Sequence, residues 1–308
     1  MKTLLLFPMA DGQTGPAIKH AFEKLGHIVS AVDAKLDWQR SYVASVEFKP
    51  DLVFCSRTKE LADSVRQIKQ TFRNAVICMW NVDTRYSIKE WMHLFPLIQA
   101  VDYHFVVESN LLGEWRKLNE KTYWLPQGLQ DEVYDKPQEI TEEDKRKYSC
   151  DVSFCGGVGG PHHGDRILFL EAIRQAGFKL NIWGSGGKPK IYNEEHNKQV
   201  AQAKINLCCS GWPKSEKCTS VRNYKILGAG GFALELHRKG IHEIFPSNVL
   251  DCYATSQGLI EKIQYWLSDE HEWERWQIAE RGYRWVHENA TYTHRMRIAL
   301  KHMKGDLC

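Results

Sequence analysis

Apolar positions fall in short runs separated by longer stretches with helical spacing. Residues 3–7, 28–32, 52–55, 75–79, 103–107 and 122–125 are such runs. Brief, nearly continuous apolar segments of this kind predict strands buried on both faces. Between the first two, Ala17, Ala21, Phe22 and Leu25 recur at helical spacing and the pattern stops at Gly26, with the next strand following at once. That is one strand–helix–strand unit with a glycine closing the helix. Repetition of the unit to about residue 125 predicts a parallel sheet covered by helices on both faces.

Residues 131–149 are polar and nearly free of aliphatic side chains, so they are expected to be a linker. A second series then starts: strands over 151–154, 179–183, 204–207 and 232–236, and helices over 166–176, 220–228, 257–267, 270–288 and 292–303. The expected fold class is α/β, with Rossmann-like doubly wound domains at 1–130 and 150–290. Such domains would face each other across a cleft at the carboxyl ends of their strands, where open α/β sheets bind ligands. Trp266, Trp273, Trp276, Tyr283, Trp285 and Tyr292 recur at spacings that predict the core face of the last helices rather than a sugar-stacking surface.

Composition narrows the class without naming it. The chain has 308 residues, 43% hydrophobic and 26% charged, which is globular usage. No stretch approaches the roughly 20 apolar residues of a membrane span, and the opening apolar run is too short for a signal peptide. A net charge of +3 argues against a protein that coats nucleic acid, while leaving room for a local basic face. Nine cysteines without a Cys-x-x-Cys pair suggest neither a zinc ribbon nor a disulfide framework, and a reducing cytoplasm is expected.

Three segments carry candidate chemistry. The glycine-rich turn Cys155-Gly156-Gly157-Val158-Gly159-Gly160 leaves a strand and enters a helix, an arrangement that lets backbone N–H groups approach a phosphate. It lacks the spacing of a dinucleotide fingerprint or a P-loop. His162 and His163 follow and could touch phosphate or acceptor; with no third ligand nearby, no metal is assigned. Trp183-Gly184-Ser185-Gly186-Gly187 forms a second strand-end turn. The third segment, Ser220-Val221-Arg222-Asn223-Tyr224-Lys225 through Gly230-Gly231, puts a hydroxyl and an arginine at a helix start, where the planar guanidinium can grip a diphosphate.

In the first half, Asp83 follows a strand and is placed to take a proton from an acceptor hydroxyl, or else to cap a helix. Asp11, Gln13 and Thr14, after the first strand, are secondary acceptor-side candidates. Glu108 and Gln127 also lie at strand ends, with Gln127 expected to touch the sugar.

Ser220-x-Arg222-x-Tyr224-x-Ile226-Leu227-x-Ala229-Gly230-Gly231, then Ile244-Phe245, Tyr265-Trp266-Leu267, Ile278-Ala279-x-x-Gly282 and Thr291-Tyr292-x-x-Arg295, resembles the C-terminal domain of the CgeB-like (spore-maturation type) glycosyltransferases. Asp151-Val152-Ser153-Phe154-x-Gly156, Lys204-Ile205-Asn206-Leu207, Lys49-Pro50-Asp51, Trp80-x-x-Asp83 and Leu125-Pro126-Gln127-Gly128 extend the likeness over most of the chain. The resemblance implies a GT-B architecture whose last helix, 291–308, packs back on the first domain. It implies a nucleotide-diphosphate-sugar donor, a UDP-sugar foremost, a hydroxyl acceptor and no obligatory metal. It assigns the diphosphate to Arg222, Ser220, Gly156 and Gly157. Trp183, Gly184 and Asn206 would line the nucleotide pocket, with Tyr224, Lys225 and Gly230 part of the same motif.

Lys225 departs from that family, which carries Glu there to accept bonds from ribose hydroxyls; lysine only donates. Either ribose is held otherwise, the donor differs, or turnover is lost. A glycan, a protein side chain, a metabolite or a hydroxylated DNA base all fit as acceptor. The basic run His294, Arg295, Arg297, Lys301, His302 and Lys304 would serve the last, or is an ordinary solvated helix face. A non-catalytic nucleotide-sugar or glycan-binding protein and a nucleotide-sugar epimerase are the rival readings.

Overall fold

The computed structural model describes the chain except residues 11, 160–163, 213 and 308 and the side chains of 164 and 165. It divides into two compact units, Met1–Gln127 with Ser215–Cys218 and Tyr292–Cys308, and Gly128–Lys214 with Thr219–Thr291.

Unit 1 runs β1 (Lys2–Phe7), α1 (Thr14–Lys24), β2 (Ile28–Asp33), α2 (Ser41–Phe48), β3 (Leu52–Cys55), α3 (Leu61–Thr71), β4 (Val76–Asn81), α4 (Phe95–Ala100), β5 (Tyr103–Val106), α5 (Leu112–Trp115) and β6 (Thr122–Trp124). Unit 2 runs α6 (Glu142–Tyr148), β7 (Cys150–Cys155), α7 (Gly164–Gln175), β8 (Leu180–Trp183), α8 (Asn193–Gln202), β9 (Ala203–Cys208), α9 (Val221–Gly228), β10 (Ala233–Leu236), α10 (Ile241–Ile244), β11 (Asp251–Tyr253), α11 (Ser256–Leu267) and α12 (Glu272–Asn289). The last helix, α13 (Tyr292–Met303), belongs to unit 1.

The strands are parallel throughout, ordered β2-β1-β3-β4-β5-β6 in one sheet and β11-β10-β9-β7-β8 in the other. Counted within its own unit, the first sheet has the order 2-1-3-4-5-6 and the second 2-1-3-4-5, so the winding reverses between β1 and β3 and between β7 and β9. These are the positions where an open α/β sheet leaves a crevice at its strand ends.

Alternation along the strands sorts side chains to the two faces. Leu5, Phe7, Leu52, Phe54, Cys78 and Trp80 pack with Ile18, Phe22, Met296, Ala299 and Met303 of α1 and α13. Leu4, Leu6, Val53, Cys55, Ile77 and Met79 face Val65, Ile68, Leu97 and Ile98 of α3 and α4. In unit 2, Val152, Phe154, Ile205, Leu207 and Leu234 bury one face against α7, α11 and α12. No helix among the described residues is long and apolar enough to cross a membrane.

Segment 131–149, expected to be a linker, lies within unit 2. Tyr134 and Tyr148 are buried, and α6 is capped by Thr141 and Asp144, each bonding the other's backbone N–H. Its charges run acidic first and basic last, which suits the helix dipole, so a polar composition here marks a surface helix.

Ser215–Cys218, on the connection from β9 to α9, is part of unit 1. Ser215 Oγ meets Thr84 Oγ1 at 3.3 Å, the Glu216 carbonyl accepts from Ser109 N at 3.1 Å, and the Lys217 carbonyl accepts from Trp124 Nε1 at 3.0 Å. No periodic apolar pattern announces this strap, because it is held by backbone and hydroxyl bonds and by a single apolar side chain, Cys218, in the core of unit 1.

Gly282, inside α12, packs so closely that a Cβ would lie 2.7 Å from Leu227 Cδ2 and 2.8 Å from the Val249 carbonyl. Helix propensity alone would favour alanine by about 1 kcal/mol. The contact reverses the sign: Gly282→Ala is expected to lower stability by about 1–3 kcal/mol, read by denaturant unfolding, and an unchanged or raised midpoint contradicts this packing.

Candidate functional site

The turn after β7 is shaped by glycine. Gly156 has φ +153° and donates its N–H to the Trp183 carbonyl at 2.8 Å; Gly184 has φ +118°, and a Cβ there would lie 2.6 Å from the Gly156 carbonyl oxygen. A Cβ on Gly156 would collide with the Arg222 guanidinium. The two turns proposed from sequence are therefore adjacent, and close backbone approach is what both require.

Arg222 stands at the start of α9. Ser220 caps the helix by accepting from Arg222 N at 3.3 Å, and Ser220 N in turn donates to Ser210 Oγ at 3.3 Å. The Arg222 side chain crosses to β7, donating from Nε to the Cys155 carbonyl at 2.6 Å and lying 4.7 Å from the Phe154 ring centre. Its Nη1 is buried and meets no acceptor among the described residues. A buried, charged donor without a partner is costly.

Arg166, the residue that sequence reasoning passed over, lies 5.2 Å from the same Phe154 ring. Its Nη1 donates to the Gly157 carbonyl and its Nε to the Cys209 carbonyl at 2.8 Å, so it bridges the ends of β7 and β9 at the reversal of strand order. Burial, and then the charge of Arg222, lower its pKa to about 10, which leaves it cationic at neutral pH. The sequence signal was its place in the first turn of the helix after the glycine loop, a position read only for backbone amides.

Lys225 Nζ rests 4.7 Å from the Tyr134 ring centre. The edge of Tyr134 meets His196, whose pKa falls to about 3 through burial, with Lys225 and Arg222 adding to the effect. The His196 Nδ1 is buried without a partner among the described residues. The β7 end thus gathers Arg166, Arg222, Lys225 and a neutral imidazole. Among the described residues no carboxylate pairs with Arg222, so the arrangement suits an anion.

Other expected donor-side residues are placed differently. Asn206 is buried inside unit 2, its amide accepting from Gln199 Nε2 at 3.1 Å and donating to the Val200 carbonyl at 3.2 Å, so it ties α8 to β9. Tyr224 is wholly buried against Phe245, so its motif position is a core position. Gly230, with φ +76°, closes the carboxyl end of α9 and packs on Lys136, two helical turns from Arg222. Trp183 is buried against Tyr148, and the position of Gly184 is that of a spacer for Gly156.

In unit 1, Asp83 follows β4 and pairs with Arg57, which follows β3. It caps no helix among the described residues; the short 3-10 helix that follows, Ile88–Leu94, is capped by Ser87 in a capping box with Glu90. Gln127 uses both ends of its amide within the unit, donating to the Val82 carbonyl at 2.8 Å and accepting from Tyr292 Oη at 3.1 Å. Gln13 precedes α1 without capping it and Thr14 is its first residue. Asp11, His162 and His163 lie outside the described residues. The basic run of α13 is not one face: Arg295 is buried, donating to the Gln127 carbonyl at 2.8 Å, and His302 stacks 4.0 Å from Tyr123. Among the described residues no group of three or more His, Cys, Asp or Glu could hold a metal ion.

Glu108 is buried at the end of β5. Trp115 Nε1 donates to its Oε1 at 2.8 Å, while Oε2 has no partner among the described residues. Burial raises its pKa to about 7. Since the folded value lies above the ordinary one, the protonated acid favours folding fully below about pH 4.5, and that contribution is lost as pH rises through 7. His104 and His196, both lowered to about 3, act oppositely: their contribution is full above about pH 6.5 and is lost as pH falls towards 3. Glu108→Gln is therefore expected to gain on the parent protein between pH 4.5 and 7, by on the order of 1–3 kcal/mol at pH 8, in urea unfolding at several pH values. A pH-independent difference would contradict the neutral buried acid.

Residues 166–301 match the model of a family described as glycosyl transferase-like. Among solved structures, sucrose-phosphate synthase from Thermosynechococcus elongatus is 10% identical with a TM-score of 0.71, covering 99% of each chain. HepE from Anabaena, in complex with UDP-glucose, is 11% identical with a TM-score of 0.69, covering 98% of this chain and 99% of that one. A glycosyltransferase from Rickettsia africae ESF-5 is 12% identical with a TM-score of 0.66, covering 99% and 98%. No curated protein matches the chain. The protein has the α/β fold of GT-B glycosyltransferases, built from two parallel doubly wound sheets, and over residues 166–301 its sequence is glycosyl transferase-like.

Proposed function

We propose that the protein is a glycosyltransferase of the CgeB-like kind that moves a sugar from a UDP-sugar to a hydroxyl acceptor without a metal ion. One observation carries the reading: the Nη1 of Arg222, a buried donor with no acceptor among the described residues, beside the glycine turn at the end of β7. The bound UDP of HepE, a protein of this fold, supports the choice of nucleotide.

In this reading the diphosphate lies against Arg222 and the Gly156–Gly157 turn, with Arg166 and Lys225 supplying further positive potential. When the bond from the sugar's anomeric carbon to the diphosphate oxygen breaks, the electron pair leaves with UDP. Fixed cations that need no reorganisation stabilise that developing charge more than they stabilise the intact donor. The acceptor oxygen forms the new bond and its proton passes to a carboxylate, a role we assign to Asp83. Lys225 has no oxygen to offer a ribose hydroxyl, so the ribose is left to other groups of unit 2. Thiols of Cys55, Cys78 and Cys208 that are buried and unpaired suit the cytoplasm.

Calorimetry with UDP and turnover of UDP-glucose test the reading together. Arg222→Ala and Arg166→Ala are each expected to weaken UDP binding by about tenfold to a hundredfold, the loss of one charge-assisted contact or more. Asp83→Asn is expected to leave UDP affinity intact and to reduce kcat by about 100-fold or more. UDP affinity indifferent to Arg222→Ala contradicts the diphosphate assignment. UDP-sugar converted to another UDP-sugar, with no acceptor consumed, favours an epimerase instead.

A further inference from the structure

The spacing of aromatic residues near the carboxyl end predicts a core face, and Trp266 and Tyr292 do lie in cores. Trp273 and Trp276 do not. They are 64% and 52% exposed, one turn apart on α12, with rings 4.8 Å between centres and 15° from parallel. The buried positions of that helix, Arg275, Ile278, Ala279, Gly282 and Val286, are on its other side. An exposed pair of large aromatic side chains is the kind of apolar surface that folded proteins keep for a ligand.

The pair lines a shallow depression of about 450 Å³ with Asp269 and Glu272, within the range of small-ligand sites. Polar groups ring the apolar rings. Neither indole N–H has an acceptor among the described residues, and the Asp269 carboxylate has no ion pair there. The Glu272 carboxylate lies only within 3.9 Å of Arg275, whose guanidinium turns inward to the Trp266 carbonyl.

This set of donors and acceptors selects the chemistry. A cationic side chain could lie on the indoles and pair with the carboxylates, but it only donates and leaves both indole N–H groups unmet. An apolar partner would leave all four polar groups unmet. A pyranose has an apolar C–H face for stacking, and its hydroxyls both donate to carboxylates and accept from N–H groups.

We propose that Trp273, Trp276, Asp269 and Glu272 form a carbohydrate-binding platform that holds a sugar ring of an oligosaccharide. The platform is composed wholly of residues of unit 2 and needs no nucleotide, so it goes beyond the donor-site reading and does not depend on it.

The test is calorimetric titration of the full chain with cellohexaose, maltohexaose and chitohexaose, with UDP titrated in parallel. At least one oligosaccharide is expected to bind with a Kd under about 1 mM. Trp273→Ala combined with Trp276→Ala should weaken it by about tenfold or more, and Asp269→Asn with Glu272→Gln by about threefold or more, with UDP affinity unchanged in both. Because these side chains are exposed, the variants are expected to fold, and the retained UDP affinity checks that they do. Absence of binding by all three sugars, or equal binding by the tryptophan variant, overturns the proposal. So does binding of pentalysine in their place, or a dimer in sedimentation that the tryptophan variant abolishes. Loss of UDP binding with oligosaccharide binding retained would overturn the donor reading alone.

Discussion

Unit 2 is organised around one phenyl ring with two guanidinium groups. Phe154 belongs to the core of its sheet, yet its ring lies within 4.7 Å of Arg222 and 5.2 Å of Arg166. The two arginines are held by carbonyls at the ends of β7 and β9, which fixes them where like charges would otherwise drive flexible side chains apart. Burial lowers the pKa of Arg166, and the charge of Arg222 adds to the effect. Arg166 is buried and Arg222 half-buried, with its Nη1 buried and no carboxylate pairing with it among the described residues, an arrangement that suits an anion. Glycine at 156 follows from the same constraint, since any side chain there would displace the Arg222 guanidinium.

The charge pattern reaches beyond the arginines. Lys225 is held on Tyr134 and faces His196, whose ring the burial and the two cations keep neutral. A carboxylate at 225 would place an acceptor at this point; lysine makes the whole cluster one sign. Arg238 and Glu235 show the contrasting solution in the same unit. They form a buried pair at 2.9 Å, with Asn223 donating to the second carboxylate oxygen at 2.5 Å, and so cancel each other's charge inside the fold. The unit balances the Glu235–Arg238 pair internally, while Arg222 has no such carboxylate among the described residues.

Much of this was legible in the sequence. Strands β1 to β10 and the helices ending at Gly26 and Gly228 were marked by apolar runs and glycine stops, because two-sided burial and helix closure each impose a local composition. The alternate strand order could not be read, yet it sets the reversal of winding between β7 and β9. Segments that stabilise themselves by polar means were the ones missed. Helix α6 reads as a charged linker because its burial rests on Tyr148 and its order on a cap. The strap of Ser215–Cys218 is held by its carbonyls, the Ser215 hydroxyl and the buried Cys218, which together make no periodic apolar pattern. Of the two arginines beside the β7 turn, Arg222 is singled out by its place at a helix start, whereas Arg166 is recognised only through its carbonyl partners. Tyr224 and Asn206 shared the motif's periodicity and turned out to be packing and tethering residues, since a motif does not separate contact with ligand from support of the residues that make it.

The most direct measurement is a crystal structure of the protein with UDP bound. The account predicts a diphosphate oxygen about 3 Å from Arg222 Nη1, with the diphosphate over the Gly156–Gly157 turn. UDP bound with its phosphates away from that turn, and Arg222 Nη1 still without an acceptor, would contradict it.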